Sequence, residues 1–243
     1  MKKKSELVLL LGTLATGFLA VVSFSTPAPR HEANAALLAP PEHAEHFTFG
    51  YNESASDSLW LRLIQDIDHC DTMAKQRAEA KASGAADDAY IHCKSNLGWV
   101  YKMLDVITTL TPSFRMPYNH GATVLSITVG DGEGARRIFE RGIQQFPKDW
   151  SLQYRAAYHY LYELNDLKRA ADLLVQAGKN GAPAWVYSLA ANIYTSEGKA
   201  ALGKSVLQSV LEEDVDPKFA GRLKQRLEYI DSVLAKEKAE KSH

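Results

Sequence analysis

"TVLSITVGDGEGARRIFERGI", residues 123–143, decides how this chain is read. A β-branched run enters a glycine-rich turn, and a helix-forming stretch follows. Gly130, Gly132 and Ala135 fit the spacing G-x-G-x-x-A, which in a strand–turn–helix unit cradles a dinucleotide pyrophosphate. That reading needs a second strand ending in an acid. Asp149 lies at about the right distance, but the helix after the turn takes up roughly Glu133 to Phe146 and Pro147 follows it. No strand fits between. No Gly-Lys-Ser/Thr is present either, so a nucleotide P-loop is excluded. The stretch reads instead as a turn between two packed helices. Tertiary packing overrides the modest helix aversion of "TVLSITV".

The same turn recurs. "GDGEGARRIF" begins at Gly130, "NDLKRAADLL" at Asn165 and "GKAALGKSVL" at Gly198, spacings of 35 and 33 residues. Five places into each turn stands a small residue: Ala135, Ala170 and Gly203. A large apolar residue follows one helical turn later: Phe139, Leu174 and Leu207. Pro147, Pro183 and Pro217 close the units. The small residue lets two helices approach closely, and the apolar one fills the space beside it. Proline ends or starts a helix because it lacks the N–H that a helix interior needs. Before the turns, "YRAAYHYL" places Tyr154, Ala157, Tyr158 and Leu161 at helical spacing, and "YSLAANIY" places Tyr187, Ala190, Ala191 and Tyr194 the same way.

This pattern resembles the tetratricopeptide repeat (TPR) family, whose unit is a 34-residue helix–turn–helix. The likeness covers residues 149–217 and the second half of the unit at 115–148. In the first half of that unit Asn119, Ala122, Thr123 and Ser126 depart from it. The resemblance implies an all-α fold, a right-handed α-solenoid of helix–turn–helix repeats. It implies a scaffold that binds a protein partner and not an enzyme, with no cofactor. In such stacks the first helix of each unit lines a groove at its second, fifth, ninth and twelfth positions. Carried onto this register, those positions are Leu152, Arg155, His159 and Tyr162, then Trp185, Ser188, Asn192 and Thr195, with His120 projecting from the preceding unit. That mixture suits a peptide with apolar anchors and few charges.

The ends differ from the repeats. Upstream, "SLWLRLIQDIDHCDTMAKQRAEA" reads as one long helix, with Trp60, Ile64 and Ile67 on its apolar side. "SGAADD" breaks it. "AYIHCKSNLGWVYKMLDVITTLTP" reads as a second helix ending before Pro112, with Val100, Leu104 and Ile107 in the repeat's small, apolar and small positions. Residues 56–112 are thus a helical hairpin or a degenerate first repeat, and 113–215 are the repeats. Downstream, Asp216 and Pro217 form a helix start. Phe219, Leu223, Leu227, Ile230 and Leu234 then make one apolar face, opposite Lys, Arg and Glu. This helix, 216–243 with its charged tail, is expected to cap the solenoid.

The chain has 243 residues, 46% of them hydrophobic, enough to bury a sizeable core. A net charge of −1 gives no general attraction to nucleic acid. Lys2, Lys3 and Lys4 precede an uncharged run from Leu7 to Phe24. Eighteen helical residues span about 27 Å, close to the thickness of a bilayer core. Residues 1–25 are therefore expected to be a membrane anchor, a single transmembrane helix with its lysines on the cytoplasmic side. The chain is then single-pass in a bacterial inner membrane, with its bulk in the periplasm. A signal peptide cleaved near "ANA" at Ala33–Ala35 is the alternative. Residues 26–55, rich in Pro, Ala and polar groups, read as a linker. His31, His43 and His46 lie there as solvated residues.

Chemistry beyond binding has one candidate. Cys70 and Cys93 are the only cysteines. An exporting compartment would permit a disulfide between them, joining two helices. Buried thiols are a second reading. A metal site with His69 and His92 is a third, and it carries the alternative of a metal-binding or redox protein. Adjacent His and Cys on a helix point about 100° apart and converge poorly on one ion. Glu163 and Asp166 flank a turn and read as solvated charges. A third functional class, an architectural subunit of an envelope assembly, shares the scaffold's sequence features.

Overall fold

The structure is a computed structural model that describes residues 40–41, 43–82, 96–212 and 216–240, with backbone only for 68–82. The N-terminal apolar run, the Cys70 side chain and Cys93 lie outside the described residues. Among those residues the regular structure is helical, and no helix is long and apolar enough to cross a membrane.

A short 3-10 turn, Ala44–Phe47, precedes α1 (Asn52–Ala82), which begins inside the stretch read as linker. Then come α2 (Trp99–Leu110), α3 (residues 115–129), α4 (Gly132–Gln145), α5 (Trp150–Tyr162), α6 (Leu167–Lys179), α7 (Trp185–Ser196), α8 (Ala200–Leu211) and α9 (Pro217–Glu240). Each helix from α4 to α9 packs on its predecessor, α1 packs on α2, and α9 lies against both α7 and α8. This is a stack of hairpins, α3/α4, α5/α6 and α7/α8, closed by a last helix. Hairpins of this kind leave one face uncovered, so each needs its neighbour.

The repeated residues do what their spacing implies. Ala135, Ala170 and Gly203 are buried, as are Phe139, Leu174 and Leu207 behind them. At Gly203 the approach is to backbone: a Cβ there would stand 2.8 Å from the Ala191 carbonyl oxygen of α7. The glycine-rich turn is a helix junction. Gly130 takes φ 78° to end α3, and Asn165 (φ 53°) and Gly198 (φ 70°) hold the same left-handed place in the later units. Asp131 then caps α4: its Oδ1 accepts the Gly134 N–H at 2.8 Å, while Oδ2 accepts the Leu97 N–H at 2.8 Å. The donor that a phosphate loop would offer a ligand is thus held by the chain's own carboxylate. Asp149 and Asp166 cap α5 and α6 in the same way.

Two expectations are corrected. The β-branched run does form a helix, but not a regular one. Pro117–Gly121 and Leu125–Val129 are π-helical, joined by the α-helical Ala122–Val124, and the Leu125 carbonyl accepts from both Gly130 and Asp131. Among the described side chains of α1 the buried apolar residue is Leu63, with Ser56 one face-repeat earlier donating to the Ile107 carbonyl at 3.0 Å. Ile64 is half exposed. The capping helix turns Leu223 and Ile230 fully inward, with Phe219, Leu227 and Leu234 partly covered.

The repeat position predicts a graded response to bulk. Gly203→Ala should lower the melting temperature, because backbone stands where the methyl would go. Ala170→Trp should lower it further, overpacking costing about 1–3 kcal/mol. Thermal unfolding by circular dichroism checks this, and an unchanged midpoint for Ala170→Trp would show that the packing register is wrong.

Candidate functional site

The residues expected on the first-helix surface separate into two groups. Tyr162, Trp185, Asn192 and His120 are exposed, and Arg155, Ser188 and Thr195 are half-buried. Leu152 and His159 are buried, which corrects their assignment to the groove. The reason is the turn. Four residues separate α5 from α6, but three separate α7 from α8, so aligning the units on their second helices misplaces the first helices by one. The buried set Gln153, Ala156, Ala157 and Tyr160 matches Tyr187, Ala190, Ala191 and Tyr194 at an offset of 34. Trp185, Ser188, Asn192 and Thr195 then correspond to Ser151, Tyr154, Tyr158 and Leu161. Tyr160 and Tyr194 play one role in both units. Each hydroxyl donates to a carboxylate at 2.6 Å, Glu140 for Tyr160 and Asp172 for Tyr194. Burial, and then the carboxylate, push the Tyr160 pKa up to about 12 and raise that of Tyr194.

On the corrected register an aromatic strip emerges. Tyr154, Tyr158 and Tyr162 stand one turn apart along α5. Tyr158 and Tyr162 have ring centroids 4.4 Å apart, and Tyr154 meets Trp185 of α7 edge-on at 5.4 Å. Tyr158 is 47% exposed and Tyr162 61%, so the strip ends in rings with nothing over them. Beyond Trp185 the surface drops into a cleft of about 260 Å3 between α7 and α9. It is lined by Trp185, Ser188, Leu189, Asn192, Phe219, Arg222, Leu223 and Arg226. The Arg226 guanidinium donates to Asn192 Oδ1 at 3.2 Å. Sequence reasoning assigned these arginines to the solvated side of the capping helix. Only the packing of α9 across α7 brings them to the first-helix surface.

The second helices present the opposite chemistry. Glu133 of α4 accepts from Arg136 and Arg137, which hold its pKa near 2. Lys168 pairs with Asp172 along α6, and Arg141 of α4 reaches Asp105 of α2. These faces are covered with paired charge.

One buried pair has the composition of a catalytic dyad. Ser126 Oγ–H donates to His159 Nδ1 at 2.7 Å, and His159 Nε2–H donates to the Gly132 carbonyl at 3.0 Å. Both residues are within 4% of complete burial, and a backbone carbonyl, not a carboxylate, orients the imidazole. No substrate reaches it. The pair ties the π-helical end of α3 to the turn and to the next hairpin. Elsewhere His43, Glu45 and His46 place three donor atoms within 4.8 Å on the exposed 3-10 turn, the one such group among the described residues. Cys70, Cys93, His69 and His92 cannot be added to it, their side chains lying outside the described set.

No family model matches the chain, and no curated protein matches it. Among solved structures it is similar to one described as "Crystal structure of YrrB: a TPR protein with an unusual peptide-binding site". The two are 16% identical with a TM-score of 0.37, over 51% of this chain and 62% of that one. A superposition that loose carries no weight, and the fold stands on the stacked hairpins themselves.

Burial lowers the His159 pKa, so the folded chain keeps the ring neutral where the unfolded chain, with a pKa near 6.5, takes up a proton. The unfolded state binds more protons on the acid side. Stability is therefore full above pH 6.5 and declines as pH falls toward the lowered native value. Melting temperatures across that window should fall in the native chain and be flatter in His159→Gln. Parallel slopes in both would place the titration on another group.

Proposed function

We propose that the chain is a helical-repeat scaffold that holds a segment of a partner protein on the first-helix face, α3, α5 and α7. Its apolar N-terminal run tethers it to a bacterial inner membrane, with the repeats on the periplasmic side. One observation carries the binding reading. On α3–α8, Met116, Ile127, Trp150, Tyr158, Tyr162 and Trp185 are the large apolar side chains exposed on first helices, against Leu202 alone on a second helix. Contiguous exposed apolar surface marks interaction sites, and tyrosine and tryptophan are over-represented among residues that dominate interfaces. The tether is supported by Lys2–Lys4 ahead of the Leu7–Phe24 run and by the Pro/Ala-rich stretch that follows.

The test is crosslinked capture from native membranes with the full chain. Tyr158→Ala with Tyr162→Ala should reduce partner recovery several-fold, since truncation at an interface anchor typically costs about 2 kcal/mol or more. Lys168→Ala with Gln176→Ala, at exposed positions of the second helix α6, should leave it unchanged. Undiminished recovery in the tyrosine variant, or equal loss in both, would contradict the assignment.

A further inference from the structure

Most of the described arginines are paired with an acid. Arg62, Arg115, Arg136, Arg137, Arg141 and Arg169 each meet a carboxylate. Among the described residues, Arg222 and Arg226 do not, and both line the α7–α9 cleft. Arg226 is held by a neutral amide, Asn192, and by the face of Tyr229, with its guanidinium carbon 5.4 Å from the ring centre. Arg155, on α5, is likewise without an ion pair among the described residues. It occupies the position equivalent to Leu189, which also lines the cleft.

The first part of α9 is basic. From Pro217 to Leu227, α9 carries Lys218, Arg222, Lys224 and Arg226 and no acid; Glu228 is the first. Asp216 caps the helix start, its Oδ1 accepting the Lys218 N–H at 2.9 Å, and the arginines that follow reach past the first turn to the cleft. The apolar part of the lining is Trp185 and Leu189 of α7 with Phe219 and Leu223 of α9, and Ser188 and Asn192 of α7 complete it. At about 260 Å3 the cleft accommodates one or two side chains, not a folded ligand.

We infer that the cleft recognises an acidic stretch of polypeptide, with aspartate or glutamate carboxylates on Arg222 and Arg226 and an adjoining apolar side chain against Trp185 and Phe219. Guanidinium forks bind carboxylates through two parallel hydrogen bonds. Asn192 pre-orients one fork and supplies a further amide. This rests on the first-helix face being the binding surface, and it replaces the expectation of a peptide with few charges. That expectation counted the groove helices and left out the cap.

The test is selection of random displayed peptides on the full chain, with binding re-measured on Arg222→Gln/Arg226→Gln and on Tyr158→Ala/Tyr162→Ala. Arg222, Tyr158 and Tyr162 are exposed and Arg226 is half-buried, so circular dichroism should show both variants folded. Enriched peptides should carry Asp or Glu beside an aromatic or aliphatic residue. They should lose about tenfold in affinity on the arginine variant and weaken as salt is raised. Neutral peptides that depend on the tyrosines but not the arginines would overturn acid recognition and leave the surface reading standing. Peptides indifferent to both variants, or no enrichment, would overturn both. Vesicles of phosphatidylglycerol beside phosphatidylcholine complete the test. Arginine-dependent binding to the anionic vesicles without acidic peptides would overturn the inference in favour of a lipid surface.

Discussion

The close approach of paired helices at Ala135, Ala170 and Gly203 is the constraint from which the rest of the structure follows. At Gly203 even a methyl would stand 2.8 Å from the Ala191 carbonyl oxygen, so the helices would have to shift to admit it. Helices this close bury Phe139, Leu174 and Leu207 completely or nearly so, but they leave each hairpin with an apolar flank of its own. Only another hairpin, or the α9 cap, can cover it. Stacking is therefore a consequence of the small residue and not an added feature. It also divides the surface: second helices turn outward with paired charge, while first helices keep rings that no neighbour covers.

A single buried histidine joins the least regular part of the stack to the most regular. α3 carries the π-helical stretches, and its residues Asn119, Ala122 and Ser126 face the core although none resembles the aromatic and leucine side chains of the later units. His159, reaching back from α5, replaces the missing bulk. It packs near Phe139, with ring centroids 5.5 Å apart, and satisfies both Ser126 and Gly132. A polar group this deep is stabilising only with both nitrogens partnered. That condition couples the irregular helix to the turn at Asp131.

Periodicity made the hairpins legible, because the small, apolar and proline positions are set by local helix contacts that repeat. The cap was legible for the same reason, through Leu223 and Ile230. The groove was legible only in part. Its register depends on turn length, and the extra residue between Tyr162 and Leu167 moved Tyr158 to the surface and His159 to the core. No pattern within α5 signals that shift; comparing Tyr160 with Tyr194, rather than the turns, would have found it. The role of Arg222 and Arg226 was not legible at all. It arises from α9 crossing α7, a tertiary contact that leaves no periodic trace. Whether α3 would contain π-turns was equally hidden, since β-branched residues signal reluctance to form α-helix without saying what replaces it.

The claim at the centre of this account is that partners dock on the uncovered first-helix face. Photo-crosslinking in intact cells addresses it most directly, with a photoreactive residue placed at Tyr158 in one chain and at Lys168 in another. The account predicts a discrete crosslinked protein from position 158 and none from position 168. Adducts from position 168 with none from 158 would contradict it and put the binding surface on the charged second helices.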